Sequence, residues 1–203
     1  MAPVSSEQAP EVRMVRRPQG ARRARLNRLE LARGAVARGW EVAEEPTVEF
    51  PAHLRMDQVR ARRCLRLVTG DGFRLSTWRG SAARVLGMPA QQVQLQVLQV
   101  PAPDQGWEIY FGRMPERKTP ILLPELFRDR VALLPEAQVM AGGDIERVLD
   151  ELAPYLGRIV APVWSLVATP GEVALLSARQ PDTAQVADLV TLAGEIRDVL
   201  PAR

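Results

Sequence analysis

Apolar and polar positions change their period several times along the chain. Over Ala21 to Arg38 the spacing is helical. Leu26, Leu29, Ala32 and Val36 form a narrow apolar stripe, with Gly39 as a C-cap and Gly34 weakening the interior. A polar connection follows Trp40, with a short strand expected at Thr47 to Phe50 and one helical turn within Pro51 to Arg60. From Cys64 the period is two. Cys64 to Thr69 and Phe73 to Arg79 flank Gly70-Asp71-Gly72, whose residue types tolerate positive φ and so predict a hairpin. Gly80-Ser81 offers another turn, before Arg84 to Met88. Gln91 to Val100 alternates, with Val93, Leu95, Val97 and Gln99 opposite Gln94, Gln96 and Leu98. Trp107 to Phe111 is the next strand, with Trp107, Ile109 and Phe111 on one face. Arg113 to Pro120 reads as an exposed loop, and Pro124 interrupts the short segment to Arg130.

The last third returns to helical spacing around a hairpin. Asp144 caps a helix bearing Ile145, Val148, Leu149 and Leu152, which Pro154 ends or kinks. Val163 to Ala168 and Val173 to Ala178 are strands joined by Thr169-Pro170-Gly171-Glu172. That is a type II pattern, from which a longer or splayed connection is expected. Asp182-Thr-Ala-Gln185 is a capping box. Val186, Leu189, Val190, Ala193, Ile196 and Leu200 form the apolar stripe of the closing helix, and Pro201 stops it. Strands grouped between helices predict an α+β fold. Its antiparallel meandering sheet has five or six strands across Cys64–Leu134, with helices at 21–38, 144–153 and 182–200 packed on it and a C-terminal strand-turn-strand-helix unit. Residues 1–20 are polar, rich in Pro and Arg and without an apolar period. They read as a flexible tail, leaving residues 21–203 as a single domain.

Composition narrows the function classes. A 46% apolar fraction fits a soluble globular chain. The most apolar run, Ile159 to Ala168, contains Pro162 and is far shorter than the roughly 20 residues a membrane span needs, so no span is expected. MAPVSSEQAP has no apolar core, so no secretory leader is expected. Cys64 is the sole cysteine and His53 the sole histidine, which rules out an internal disulfide and a cysteine-based metal site. These features predict a cytoplasmic protein. Charge is segregated. Residues 1–66 carry 14 Arg against 8 acids, whereas residues 131–203 carry 5 Arg against 10 acids. A basic front and acidic back imply another protein, self-association or a polyanion as partner.

The candidate chemistry is sparse. Arg13, Arg16, Arg17, Arg22, Arg23, Arg25 and Arg28 could neutralise phosphates, although no stacking aromatics lie near them. In Gly106-Trp-Glu-Ile-Tyr-Phe-Gly-Arg113 aromatics alternate beside Arg117 and Lys118, a pattern that also fits a core strand and a charged loop. Ala141-Gly142-Gly143-Asp144 could hold an anion at a helix start, but Asp144 already fills the cap. His53 has no partner at motif spacing. Cys64 reads as half-buried packing whose neighbouring arginines could lower its pKa. Asp57, Asp71 and Asp104 stand alone. No catalytic residues, metal ligands or cofactor are nominated.

Ala35-Val-Ala-Arg-Gly-Trp40, Trp78-Arg79-Gly80 and the hairpin Trp164 to Leu176 carry a likeness. From about Leu29 onward the chain resembles a bacterial domain-of-unknown-function family. The resemblance implies a fold type and carries no activity with it. Such relatives often look anchored by an N-terminal span, where this chain is arginine-rich and polar. The function expected is a non-enzymatic binding or scaffolding protein. The alternatives are sequence-independent nucleic-acid binding through the N-terminal arginines and an enzyme of unrecognised type.

Overall fold

The computed structural model describes residues 29–56, 59–82, 92–103, 108–113, 132–133, 137–141, 145–160 and 165–200. Helix α1 (described over 29–37) ends in a Schellman cap. Gly39 takes φ +72, its N–H bonds the Val36 carbonyl, and the Trp40 N–H bonds that of Ala35, each at 3.0 Å. The strands are β1 (Glu41–Glu44), β2 (Val59–Gly70), β3 (Phe73–Ala82), β4 (Gln92–Pro101), β5 (Ile109–Arg113), β6 (Ala132–Leu133), β7 (Ala137–Ala141), β8 (Ser165–Thr169) and β9 (Glu172–Ser177). Helices α2 (Ile145–Val160) and α3 (Thr183–Val199) complete the elements, with a 3₁₀ turn at Ala52–Leu54. The nine strands of the described residues form one sheet in the order β1-β2-β3-β4-β9-β8-β5-β7-β6, every pair antiparallel. The fold is α+β, as the strand grouping predicts.

Both sheet faces are covered, differently. The helices lie on one face. There Leu31 and Ala35 of α1, Val148 and Leu152 of α2, and Val186, Ala193 and Ile196 of α3 meet Val68, Leu75, Leu98, Leu166 and Leu175. On the opposite face Leu54 and Met56, joined by half-buried Phe50, cover Cys64, Trp78, Leu95, Tyr110 and Leu176. Phe50 stands edge-on to Trp78 with ring centroids 5.1 Å apart. The residues between β1 and β2 therefore act as a strap where no helix packs.

Two local signals hold. Gly72 takes φ +69 in the β2–β3 turn, and the capping box of α3 is complete, with the Gln185 N–H bonding Asp182 at 2.8 Å. Several longer-range expectations change. The meander stops at β4, because the β8–β9 hairpin inserts between β4 and β5: β9 pairs with β4 and β8 with β5. The first strand is Glu41–Glu44, and residues 47–50 are not a strand. Gly80-Ser81 is no turn but part of β3. A Cβ on Gly80 would lie 2.7 Å from the Arg60 carbonyl oxygen, so glycine lets β2 approach there. The Thr169–Glu172 connection is tight, with those two residues paired and Gly171 at φ +86. Pro154 does not end α2, which continues to Val160 with the proline ring exposed and Tyr155 packed on the core.

The predicted face of α1 is rotated. Leu29 and Val36 are 47% and 65% exposed, while Leu31 and Ala35 are fully buried. Gly34 explains this: a Cβ there would lie 2.1 Å from Oγ1 of Thr183, so the helix presses its glycine side onto the start of α3. On α3, Leu192 joins the buried stripe and Val190 is only partly covered. The expectations for residues 1–28, Arg84 to Met88, Trp107, the loop and segment from Met114 to Arg130, the Asp144 cap and Pro201 lie outside the described residues.

Candidate functional site

Arg13, Arg16, Arg17, Arg22, Arg23, Arg25 and Arg28, nominated from sequence, all lie outside the described residues, as do Asp57, Asp104 and residues 142–144. Of the aromatic strand, Ile109, Tyr110 and Phe111 are at most 2% exposed. These rings are core, and burial pushes the Tyr110 phenol up despite its hydrogen bond with Ser165. Cys64 is likewise fully buried, not half-buried. Its Sγ donates to the Arg66 carbonyl at 3.2 Å, and burial pushes the thiol up, so the neighbouring arginines do not activate it. Asp71 is exposed in its turn.

His53 does have a partner, one 119 residues away. Its Nε2 lies 2.7 Å from Oε1 of Glu172, and Gln99 Nε2 donates to the other carboxylate oxygen at 2.8 Å. These groups fasten the strap to the start of β9, beside a shallow depression of about 660 Å³ that Arg55 and Glu108 also line. With both carboxylate oxygens engaged, this cluster works as a fastening.

A basic surface emerges from β2 and β3. Antiparallel register sets its rows. Cys64 opposite Trp78 faces the strap. Alternation therefore turns the directly opposed Arg63 and Arg79 to the helix side, with Gln94 beside them on β4. One row further out come Arg60, Ser81 and Gln92. Inward lies a buried polar row of Arg66, Thr77, Gln96 and Ser177. There Arg66 is closed by Glu44 through Nε at 2.7 Å and Nη2 at 2.6 Å, and Thr77 Oγ1 donates to Gln96 Oε1 at 2.7 Å. Arg63 pairs with Glu45. Arg60, Arg62 and Arg79 are exposed, and none has an acidic partner among the described residues.

β1 pairs only with Arg66–Thr69, so the outer part of β2 is an edge among the described strands. Register shifts at Ala61/Arg63 and Cys64/Arg66 distort that edge. Bulges and charges protect edge strands from association. Edge protection does not account for Arg79, which stands on the interior strand β3 directly opposite another arginine. Like charges so placed are unfavourable. Beside this edge, on the strap side, Arg55, Arg60 and Arg62 line a depression of about 760 Å³ together with Glu49, Val48 and Phe50. The sequence reading starts this strand at Cys64 and places Arg60 at the end of a helical turn, whereas β2 begins at Val59 and carries Arg60, Arg62 and Arg63 as well. The signal was there in composition: β2, β3 and β4 together carry Arg60, Arg62, Arg63, Arg66, Arg74 and Arg79 and no aspartate or glutamate.

No helix among the described residues is long and apolar enough to cross a membrane, and they contain no cluster of metal-ligating side chains. No family model matches the sequence, and no curated protein matches it. Among solved structures, the chain is similar to the crystal structure of the mycobacterial trehalose monomycolate transport factor A, TtfA. The identity is 10% and the TM-score 0.49, over 88% of this chain and 97% of that one.

Proposed function

We propose that this is a non-enzymatic binding or scaffolding protein that takes an anionic partner on the outer ends of β2 and β3. One observation carries the reading: Arg60, Arg62 and Arg79 are exposed with no carboxylate partner among the described residues, while their neighbours Arg66 and Arg63 are closed by Glu44, at the end of β1, and by Glu45 just after it. Guanidinium groups present planar donor forks suited to phosphate, sulfate or carboxylate oxygens. The buried, free Cys64 agrees with a reducing compartment, as expected for the cytoplasm.

Immobilised heparin tests this reading without choosing the natural partner. Reversing the charge of Arg60, Arg62 and Arg79 to glutamate should weaken binding by at least about tenfold at low salt. Unchanged binding would remove the surface from consideration. The N-terminal arginines are the second reading, favoured by the net charge of residues 1–38, where 9 Arg stand against 3 acids. In that case substituting Arg13, Arg16 and Arg17 carries the loss instead.

A further inference from the structure

We infer that the anionic partner is double-stranded nucleic acid, held through its phosphates and without base readout; this rests on the docking surface proposed above. The outer rows present Arg63, Arg79 and Gln94, then Arg60, Ser81 and Gln92. Every one of these side chains can donate a hydrogen bond and none is a carboxylate. An array of guanidinium groups flanked by amides and a hydroxyl matches a line of phosphate oxygens, which accept and do not donate. Arg63 is already held by Glu45, so the phosphate contacts fall to the exposed Arg60, Arg62 and Arg79.

The competing anions fit less well. A protein partner needs an apolar centre to its interface. Among the described residues the exposed large apolar side chains are Leu29, Val36 and Val48, and Val48 alone lies beside the arginines, in the adjoining depression, too little for such a centre. An acidic peptide adding as a further strand needs a regular edge, and the register shifts at Ala61/Arg63 and Cys64/Arg66 break this one. A single strand is held by stacking its bases on exposed aromatic rings. Of the two aromatic residues beside the arginines, Trp78 is 3% exposed with its indole N–H spent on Ser76 at 2.8 Å, and Phe50 is half-buried and packed edge-on against Trp78. What remains is a polar, strongly basic, sequence-blind surface, as protein–duplex interfaces are.

The test is fluorescence anisotropy of the full chain with a labelled mixed-sequence duplex of about 20 base pairs, titrated between roughly 50 and 200 mM salt. Replacing Arg60, Arg62 and Arg79 with alanine together should make the slope of log K against log salt shallower by roughly 2.7, if each contacts one phosphate. Arg74→Ala, at the opposite end of β3, should leave the slope unchanged. Circular dichroism checks that the variants stay folded. Four results would overturn the inference: no duplex binding at the lowest salt, an unaltered slope in the triple variant, a slope lost only when Arg13, Arg16 and Arg17 are replaced, or a single strand of equal length bound as tightly. If heparin or polyglutamate binds in an Arg60-, Arg62- and Arg79-dependent way while duplex does not, the duplex assignment falls and the docking surface stands.

Discussion

Toward their shared hairpin, β2 and β3, with β4 alongside, carry Val68, Leu75 and Leu98 on the helix side, each about 1% exposed. Two rows beyond the buried polar row, the same three strands on the same face carry Arg60, Ser81 and Gln92, with Arg63, Arg79 and Gln94 between. The backbone pairing is alike at both ends, and the difference lies in what covers them. The inner end is sealed by α1, α2 and α3, and each large apolar side chain withdrawn from water there contributes about 1.5–3 kcal/mol. At the outer end the exposed guanidinium groups contribute little to folding. Strand pairing thus extends beyond the region the helices seal, which leaves a rigid platform free for binding.

The comparison breaks most readily at the inner end. Leu98→Ala should cost about 2–5 kcal/mol in urea unfolding, from lost burial and the cavity left behind. A cost as small as that of a surface substitution would mean the helices do not seal the sheet.

Gly34→Ala should come next, at about 1–3 kcal/mol, because the new methyl overlaps Thr183 and pushes α1 away from α3. Thermal unfolding measures this. An unchanged midpoint would show that the two helices are not pressed together.

Alkaline pH tests whether the outer end is bare on one face only, since Cys64 is buried directly behind the arginines. Cys64 and Tyr110 both have raised pKa values in the folded state, so the native protein holds protons that the unfolded chain gives up sooner. Their contribution to stability is complete below the unfolded values, about 8.5 for Cys and 10 for Tyr, and is lost as pH climbs through the higher folded ones. Unfolding free energy should therefore fall from about pH 9 upward, by at most about 1.4 kcal/mol per pH unit for each proton. Replacing Cys64 with alanine and Tyr110 with phenylalanine should flatten that fall. A fall of the same steepness in the double variant would contradict the assignment.

The smallest stability effect belongs to the outer end. Arg79→Ala should change unfolding free energy by no more than about 0.5 kcal/mol, because the side chain is exposed and has no ion-pair partner among the described residues. A clear loss would make Arg79 structural and weaken its assignment to a binding surface.

Much of the local structure was legible in the chain. The Asp71-Gly72 turn, Gly39 as a helix stop and the capping box at Asp182 depend on residues within five positions of one another, and each appears as read. The α1 face was not legible, since Leu29 and Val36 look like better core residues than Leu31 and Ala35 until Gly34 meets Thr183. His53 looked unattached because its partner Glu172 is 119 residues away. The candidate surface was hidden for the same reason: only the approach of Glu44 and Glu45 closes Arg66 and Arg63 while leaving Arg60 and Arg62 open.

The sequence by itself determined the α+β class, the Asp71-Gly72 turn, the Gly39 and Asp182 caps and the basic front of the chain. These follow from backbone chemistry and from charges counted along the chain. Tertiary structure alone decided that β8 and β9 enter between β4 and β5, that a strap covers the face the helices leave bare, and that Arg60, Arg62 and Arg79 face solvent with no acidic partner among the described residues. Those outcomes rest on contacts between residues far apart in the chain. Their energies depend on shape, burial and the nearest opposite charge, quantities that exist only once the distant segments have met.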